Sequence, residues 1–232
     1  MASRYLEAIP AGGSHLERYA RAFPIVEIDT SFYRHHRTET YARWAHSVGD
    51  NFRFSVKIPR ALTHEGALVH GASTDLADFL AQVAGLGSKL GALLVQLPPA
   101  LEFDRAGVRK FFRRLRRSLR DTTALVCEPR HASWSTEAAA DLLKDLGVAR
   151  AAVDPPRWST DARPAGDTRL AYFRMHGSPR IYYSNYDAHQ LAQLRETLQQ
   201  ASRTSDQVWC IFDNTAHGHA IGNALTLRDF VS

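Results

Sequence analysis

The chain has 232 residues, of which 44% are hydrophobic and 23% charged, and its formal net charge is +5. This composition is typical of a folded globular protein and excludes an intrinsically disordered one. No apolar run approaches the ~18 residues of a membrane span, and residues 1–10 do not have the apolar core of a signal peptide. The two cysteines, Cys127 and Cys210, fit neither a disulfide framework nor a zinc-finger spacing. We therefore expect a cytoplasmic α/β protein with no membrane partner.

Apolar segments rich in β-branched and aromatic residues alternate with helical patterns along the chain. Ser14 and Glu17 have the spacing of a capping box, which predicts a first helix that ends near Ala22. The seven predicted strands cover residues 25–28, 52–57, 93–97, 124–128, 149–154, 170–175 and 208–213. The later predicted helices cover residues 38–48, 76–86, 105–120, 136–146 and 187–200, and a last one begins near residue 215. This alternation is typical of a parallel sheet with crossover helices.

Such a sheet is either open and doubly wound or closed into a (β/α) barrel. An open nucleotide-binding sheet often carries a G-x-G-x-x-G motif or a P-loop after its first strand. Neither motif occurs in this sequence, so we expect no nucleotide cofactor. We therefore predict a TIM-like (β/α) barrel that forms a single domain over residues 1–232.

The positive net charge arises in residues 105–120, which include eight basic residues and no acidic one. Apolar residues recur there at helical spacing and predict an amphipathic helix; they are Val108, Phe111, Phe112, Leu115 and Leu119. Its basic face is either a surface that binds nucleic acid or the solvated outer side of a helix packed on the sheet. We favour the second interpretation, because a charge run in one segment is weak evidence of binding.

Polar or ionisable residues follow all seven predicted strands, where a barrel builds its active site. Buried charge is costly unless it is paired or functional, so we predict a site there. The predicted catalytic residues are Lys57, Glu128, Asp154 and His176. The predicted substrate-binding residues are Glu27, Ser31, Phe32, Tyr33, His64, Gln96, Arg130, His131, Trp134, Arg174, Asp213 and Asn214. The alternative is a structural ion-pair network inside the mouth of the barrel.

Six segments resemble, in chain order, the YecE-like family (domain of unknown function 72). They include Cys127-Glu128-Pro129-Arg130-His131, Arg174-Met175-His176-Gly177 and Phe212-Asp213-Asn214-Thr215. The other three lie at residues 26–34, 52–64 and 93–99, and the resemblance runs from about residue 13 to residue 227. It implies a TIM-barrel-like fold, but it implies no reaction.

One feature departs from this family pattern. Members of the family usually begin with a strand close to Ile-Gly-Thr-Ser-Gly-Trp, ahead of the helix that here begins near Ser14. This chain begins with Met1-Ala2-Ser3-Arg4-Tyr5, so we count seven strands where the family has eight. The expected consequence is an open slot between strands 25–28 and 208–213, and unpaired strand edges invite pairing with another chain.

Three interpretations of the predicted site remain open. The first is an enzyme that does hydrolytic or lyase-type acid–base chemistry on an anionic, phosphate-bearing substrate. In it, Lys57, Arg130 and Arg174 hold the anion, Glu128 or Asp154 is the general base, and His176 is the general acid.

The second interpretation adds a catalytic divalent metal. Its ligands would come from different strands: Glu27, Glu128, Asp154, His176 and Asp213. The third is a non-catalytic protein that binds a small anionic ligand in the mouth, or nucleic acid through residues 105–120. Salt dependence distinguishes the two ligands of the third interpretation, because binding to a phosphate backbone weakens steeply with salt.

Overall fold

Parallel strands and their crossover helices account for most of the molecule. The computed structural model describes residue 9 and residues 11–64, 73–159 and 161–231. The helices are α1 His15–Ala22, α2 Thr38–His46, α3 Arg60–Thr63, α4 Ser73–Val83, α5 Arg105–Arg117, α6 Glu137–Asp145, α7 Ala188–Ala201 and α8 His219–Val231. The strands are β1 Ile25–Ile28, β2 Arg53–Lys57, β3 Leu90–Gln96, β4 Ala124–Glu128, β5 Val148–Arg150, β6 Ala152–Asp154, β7 Ala165–Gly166, β8 Leu170–Met175 and β9 Gln207–Phe212.

The strands form two hydrogen-bonded sheets that follow the order of the chain. One sheet has the order β1-β2-β3-β4-β5-β7, and the other has the order β6-β8-β9. All pairs are parallel except β5 with β7. Only Ala151 separates β5 from β6, so the single predicted strand 149–154 passes from one sheet into the other. The predicted α/β fold with parallel strands is confirmed.

The closed barrel that we predicted is not found among the described residues. Within them, β1 pairs only with β2 and β9 pairs only with β8, so these two strands leave a seam between them. A cavity of about 540 Å³ lies at the seam, and its lining includes Ile25, Val26, Ile211 and Phe212. A strand order that follows the chain is not sufficient for closure, because closure also requires main-chain bonds between the first and last strands. The start of the chain, to which the missing-strand expectation refers, lies outside the described residues.

Strand residues form a core of their own between the inner faces of the sheets. Its members are Ala92, Leu94, Val126, Ala149, Ala151, Leu170, Tyr172 and Trp209. The opposite faces of β2, β3 and β4 pack against α2, α4, α5 and α6 in a larger core, and β8 packs against α7. The charged network described below therefore lies at the ends of strands that face one another across an apolar interior.

Local signals in the sequence set several helix ends. The Ser14 capping box is present as predicted, and Asp187 forms a second capping box at the start of α7. Gly147 follows α6 with a φ of +63°, the left-handed conformation that glycine commonly adopts just after a helix. None of the described helices has the length and apolar character that a membrane crossing requires.

The basic segment forms the predicted amphipathic helix, α5. Its apolar stripe is buried and consists of Val108, Phe111, Phe112 and Leu115. Lys110, Arg113 and Arg117 are exposed on the opposite side. Arg116 is not free for a ligand, since its guanidinium donates to the carbonyl oxygens of Thr123 and Gly147.

Candidate functional site at the carboxyl ends of the strands

The Arg174 side chain lies at the centre of a network of three carboxylates and is fully buried. Its Nε and Nη2 donate to the two oxygens of Glu27 at 3.0 and 2.6 Å. Nη1 donates to Glu128 Oε2 at 2.5 Å, and Nη2 also donates to Asp213 Oδ2 at 3.1 Å. Burial alone would lower the pKa of Arg174, but Glu27, Glu128 and Asp213 hold it well above its usual value. The guanidinium is therefore a permanent internal cation.

This geometry gives Arg174 a different part from the one predicted. We expected it to hold a substrate anion, but each of its three nitrogens donates to a carboxylate of the protein itself. Glu27 was also predicted as a substrate-binding residue, but both of its carboxylate oxygens accept hydrogen bonds from Arg174. The arrangement around Arg174 is the ion-pair network that was the alternative interpretation, and it fixes where the neighbouring groups point.

Glu128 is a buried anchor for four donors. Besides Arg174, Gln96 Nε2 donates to its Oε1 at 2.8 Å, and Arg130 Nε and Nη2 both donate to the same oxygen at 3.2 Å. Burial would raise the pKa of Glu128, but Arg174, His176 and Arg130 hold it well below its usual range. Glu128 is therefore ionised at neutral pH and a poor proton acceptor, which argues against the predicted role as general base.

His176 is oriented by Asp213. Its Nδ1 lies 3.0 Å from Asp213 Oδ2, and because a carboxylate only accepts, Nδ1 carries the proton of this bond. Burial lowers the pKa of His176, but the hydrogen bond to Asp213 and the negative charge of Glu128 raise it above the usual value. The opposite nitrogen, Nε2, is 3.7 Å from Glu128 Oε1 and has no hydrogen-bond partner among the described residues.

The pKa of Asp213 moves in the opposite direction. Burial would raise it, but the hydrogen bond from His176 and the charge of Arg174 lower it. Asp213 therefore stays ionised while His176 favours its protonated form. Two groups with pKa values pushed apart in this way are the usual arrangement of a proton donor and its orienting partner.

Tyr172 and Ser55, which were not predicted, extend the network beyond Glu27. The Tyr172 hydroxyl donates to Glu27 Oε2 at 2.8 Å and lies 2.8 Å from Ser55 Oγ. Tyr172 and Arg174 are two residues apart on β8 and so share one face of the strand. That alternation is the signal by which Tyr172 could have been found.

Lys57 belongs to a second pair at the end of β2. Its Nζ donates to Asp29 Oδ1 at 2.7 Å and lies 4.1 Å from the centroid of the Phe32 ring. The Ser31 hydroxyl is bonded to the main-chain oxygen of Lys57 at 2.7 Å. These contacts fasten the loop after β1 to the end of β2.

His64 lies among cationic side chains whose charges act on its ring. Burial, together with the charges of Arg130, Arg60 and Lys57, lowers the pKa of His64 to about 4. The ring of His64 packs on Phe32, with ring centroids 5.2 Å apart. His64 is therefore neutral in a region where several cations meet.

Within the described part of the chain, the side chains of five other predicted site residues make no hydrogen bond to the Arg174 network, although the main-chain oxygen of Asp154 accepts from His176 N at 2.8 Å. Trp134 is buried in the large core and donates to Leu101 O, and His131 accepts from Ser133 N. Asp154 accepts from Tyr186 at 2.6 Å, and the buried Asn214 donates to Ser184 O and Asn223. Tyr33 is 75% exposed. Of these, Trp134 cannot stack on a ligand without leaving the core.

The proposed metal ligands are only partly brought together. Glu27, Glu128, His176 and Asp213 meet, but the Arg174 guanidinium lies between their carboxylates, and Asp154 is bound to Tyr186 instead. In the described part of the chain, no group of three or more His, Cys, Asp or Glu residues is arranged to hold a metal ion.

Asp161 is a second group that the sequence analysis missed. It is fully buried in the loop after β6, and burial raises its pKa to about 6. Its Oδ2 accepts from the main-chain N–H of Arg157 at 3.2 Å, and its Oδ1 has no hydrogen-bond partner among the described residues. The loop of residues 155–167 has no periodicity from which this burial could have been predicted.

The raised pKa of Asp161 predicts that the free energy of unfolding depends on pH. A carboxyl group whose pKa is raised by folding favours the folded state only while it stays protonated, so stability is lost as pH rises from about 4 through 6. We expect Asp161→Asn to become more stable than the wild type over this range, by on the order of 2 kcal/mol at pH 7.5. Urea unfolding at pH 4, 6 and 7.5 measures this, with the exposed Asp141→Asn on α6 as control. A difference that does not change with pH would contradict the assignment.

Comparison with known proteins agrees with this fold. The chain belongs to the family described as Protein of unknown function DUF72, whose model matches residues 3–232. This confirms the resemblance seen in the sequence motifs.

Particular relatives extend over different shares of the chain. UPF0759 protein YunF of Bacillus subtilis is 23% identical over 249 residues, covering 95% of this chain and 88% of YunF. UPF0759 protein YecE of Escherichia coli K12 is 36% identical over 87 residues, covering 38% of this chain; the match spans only 32% of YecE's length.

Two crystal structures of DUF72 family proteins are similar to this chain. That from Enterococcus faecalis has a TM-score of 0.81 and 25% identity, covering 99% of this chain and 92% of that one. That from Thermotoga maritima has a TM-score of 0.74 and 26% identity, covering 90% and 85%. Neither description names a substrate, so the function has to be argued from the site.

Proposed function

We propose that this protein is an enzyme that does acid–base chemistry, of hydrolytic or lyase type, on an anionic, phosphate-bearing substrate. The site lies at the carboxyl ends of the parallel strands. The observation that carries this proposal is His176: Asp213 orients its Nδ1, while its Nε2 has no partner among the described residues. A buried imidazole with a raised pKa and one free nitrogen is suited to donate a proton to a leaving group.

The division of charge supports an anionic substrate. The inner layer around Arg174 holds three carboxylates, Glu27, Glu128 and Asp213. Around His64, by contrast, the charges of Lys57, Arg60 and Arg130 act together. An anion would therefore bind on this positive side and bring its leaving group towards His176. Guanidinium groups are well matched to phosphate oxygens.

The pH dependence of turnover tests the role of His176. The probes are p-nitrophenyl phosphate and bis(p-nitrophenyl) phosphate, with turnover measured from pH 5 to pH 9. Because the protonated imidazole is the active form, we expect the rate to fall as pH rises through the raised pKa of His176. In Asp213→Asn, a partner that raises this pKa is lost, and the descending limb should move to lower pH.

Asp141→Asn, an exposed change on α6, is the matched control and should leave the profile unchanged. If neither probe is hydrolysed and inorganic phosphate does not raise the melting temperature, the proposal is wrong. If Asp213→Asn leaves the descending limb in place, His176 is not the acid.

A second candidate function is non-catalytic binding of an anion. The exposed Lys110, Arg113 and Arg117 on α5 favour nucleic acid as one such ligand. Stabilisation by phosphate without turnover of either probe would favour a binding protein with a ligand in the site. Binding of short DNA that weakens steeply with salt would instead favour α5.

A further inference from the structure

Arg157 lies on the loop after β6, and the buried Asp161 fixes its main chain. The Arg157 N–H donates to Asp161 Oδ2, while the main-chain groups of Asp161 are bonded to Val153 N at 2.9 Å and to Trp158 O at 3.0 Å. One of these hydrogen bonds ties the loop to Val153 on β6, and the other two join residues of the loop to each other. Arg157 projects from a fixed turn, although no sequence pattern singled it out.

The Arg157 guanidinium has an unusual electrostatic environment. It is half-buried, and its Nε is buried with no hydrogen-bond partner in the part of the chain that the structure describes. Burial and the nearby charge of Arg130 lower its pKa, whereas Glu128 and Asp161 raise it. Glu128 already accepts from Arg130, Arg174 and Gln96. The Arg157 and Arg130 guanidinium groups therefore repel each other, and Glu128, which attracts both, accepts hydrogen bonds from Arg130 but, among the described residues, none from Arg157.

Tyr182 connects Arg157 with His176. Its ring packs edge-on against the His176 ring, with centroids 5.9 Å apart, and it acts electrostatically on Arg157. Its φ is +70°, a left-handed conformation that costs a non-glycine residue on the order of 1 kcal/mol or more. Hydrogen bonds from its N–H to His176 O and from Ala216 N to its own carbonyl hold it there. The fold therefore keeps an aromatic ring packed against the His176 ring.

We propose that Arg157 is a substrate-binding residue that holds a phosphoryl dianion together with Arg130, with Tyr182 covering the bound group beside His176. This inference rests on the proposed function and narrows the substrate class to phosphate monoesters. A dianion relieves the repulsion between the two guanidinium groups, and it supplies acceptors for the unpartnered Arg157 Nε–H and His176 Nε2–H. A diester has one negative charge fewer and offers less relief.

Binding of inorganic phosphate to the full chain, measured by isothermal titration calorimetry at fixed ionic strength, tests this inference. We expect Arg157→Gln to weaken binding at least about tenfold, since a bidentate charged contact is lost. Arg157→Lys, which keeps the charge but not the fork, should fall between it and the wild type. The control is Arg163→Gln, an exposed change on the same loop, which should bind phosphate as the wild type does.

The kinetic result should agree with the binding result. With p-nitrophenyl phosphate, Arg157→Gln should raise KM more than it lowers kcat, and the wild type should prefer this monoester to bis(p-nitrophenyl) phosphate. If Arg157→Gln binds phosphate as tightly as the wild type and has the same KM, the inference is wrong. The proposed function would still stand if Asp213→Asn moves the descending limb of the pH profile. Absence of phosphate binding and of turnover in the wild type would overturn both. Should Arg157→Gln fail to fold, the Arg157→Lys result decides alone.

Discussion

Arg174→Met is expected to lower the free energy of unfolding by about 3–5 kcal/mol, because it leaves buried carboxylates without their cation. Glu27 and Glu128 are nearly inaccessible to water, and Asp213 is mostly buried. Methionine occupies much of the volume of arginine but provides no donor. For a chain of this length, the expected loss corresponds to a fall in melting temperature of roughly 6–20 °C.

The pH dependence of this loss distinguishes charge from packing. Without Arg174, protonation of the carboxylates relieves their repulsion, so the deficit relative to the wild type should shrink as pH falls towards 4. Thermal and urea unfolding at pH 4.5 and pH 7.5 measure this. Arg113→Met on the exposed side of α5 is the control, with an expected change within about 0.5 kcal/mol. A loss below 1 kcal/mol for Arg174→Met would show that the network contributes little to stability.

His176→Asn is expected to reduce the turnover of p-nitrophenyl phosphate by at least about 100-fold, the usual contribution of a positioned proton donor. Asparagine can still donate a hydrogen bond towards Asp213, but it has no titrating nitrogen in place of Nε2. The change therefore removes the proposed proton donor with little disturbance of its neighbours. His189→Asn, an exposed change on α7, should leave the rate unchanged.

Stability measurements on the same variant provide an independent check. The pKa of His176 is raised in the folded state, so its contribution to stability is complete below about pH 6.5 and is lost as pH rises through the raised value. The stability deficit of His176→Asn should therefore be largest in mild acid and smaller at pH 9. Full turnover in the variant would exclude His176 as the acid, whatever its effect on stability.

The fold could be predicted as far as local patterns determine it. Short apolar runs indicated the parallel strands, and the capping box of Ser14 indicated where the first helix begins. Barrel closure could not be predicted in this way, because it depends on whether the first and last strands come within hydrogen-bonding distance. The break at Ala151 was missed for a similar reason, since the apolar run continues through it.

The site was predictable in place but not in detail. Polar residues at strand ends do gather where parallel strands end, and Glu128, Arg174, His176 and Asp213 lie together. Which cation binds which carboxylate depends on distances between strands that are far apart in sequence. For this reason Arg174 was predicted to bind a substrate anion, whereas it binds carboxylates of the protein itself. The role that we propose for Arg157 could not be predicted, because an irregular loop has no pattern that reveals which way its side chains point.

Arg174 connects β1 and β9 across the seam between them. One atom, Arg174 Nη2, is bonded both to Glu27 on β1 and to Asp213, which directly follows β9. Main-chain hydrogen bonds do not join these two strands in the described structure, so the hydrogen bonds of Arg174 Nη2 link them across the seam. Any motion that widens the seam must lengthen the hydrogen bonds of Arg174 Nη2 to Glu27 and Asp213. Because Asp213 also orients His176, the same motion would disturb the imidazole. Separation of the two strand ends and alignment of the His176 ring are therefore one coupled movement.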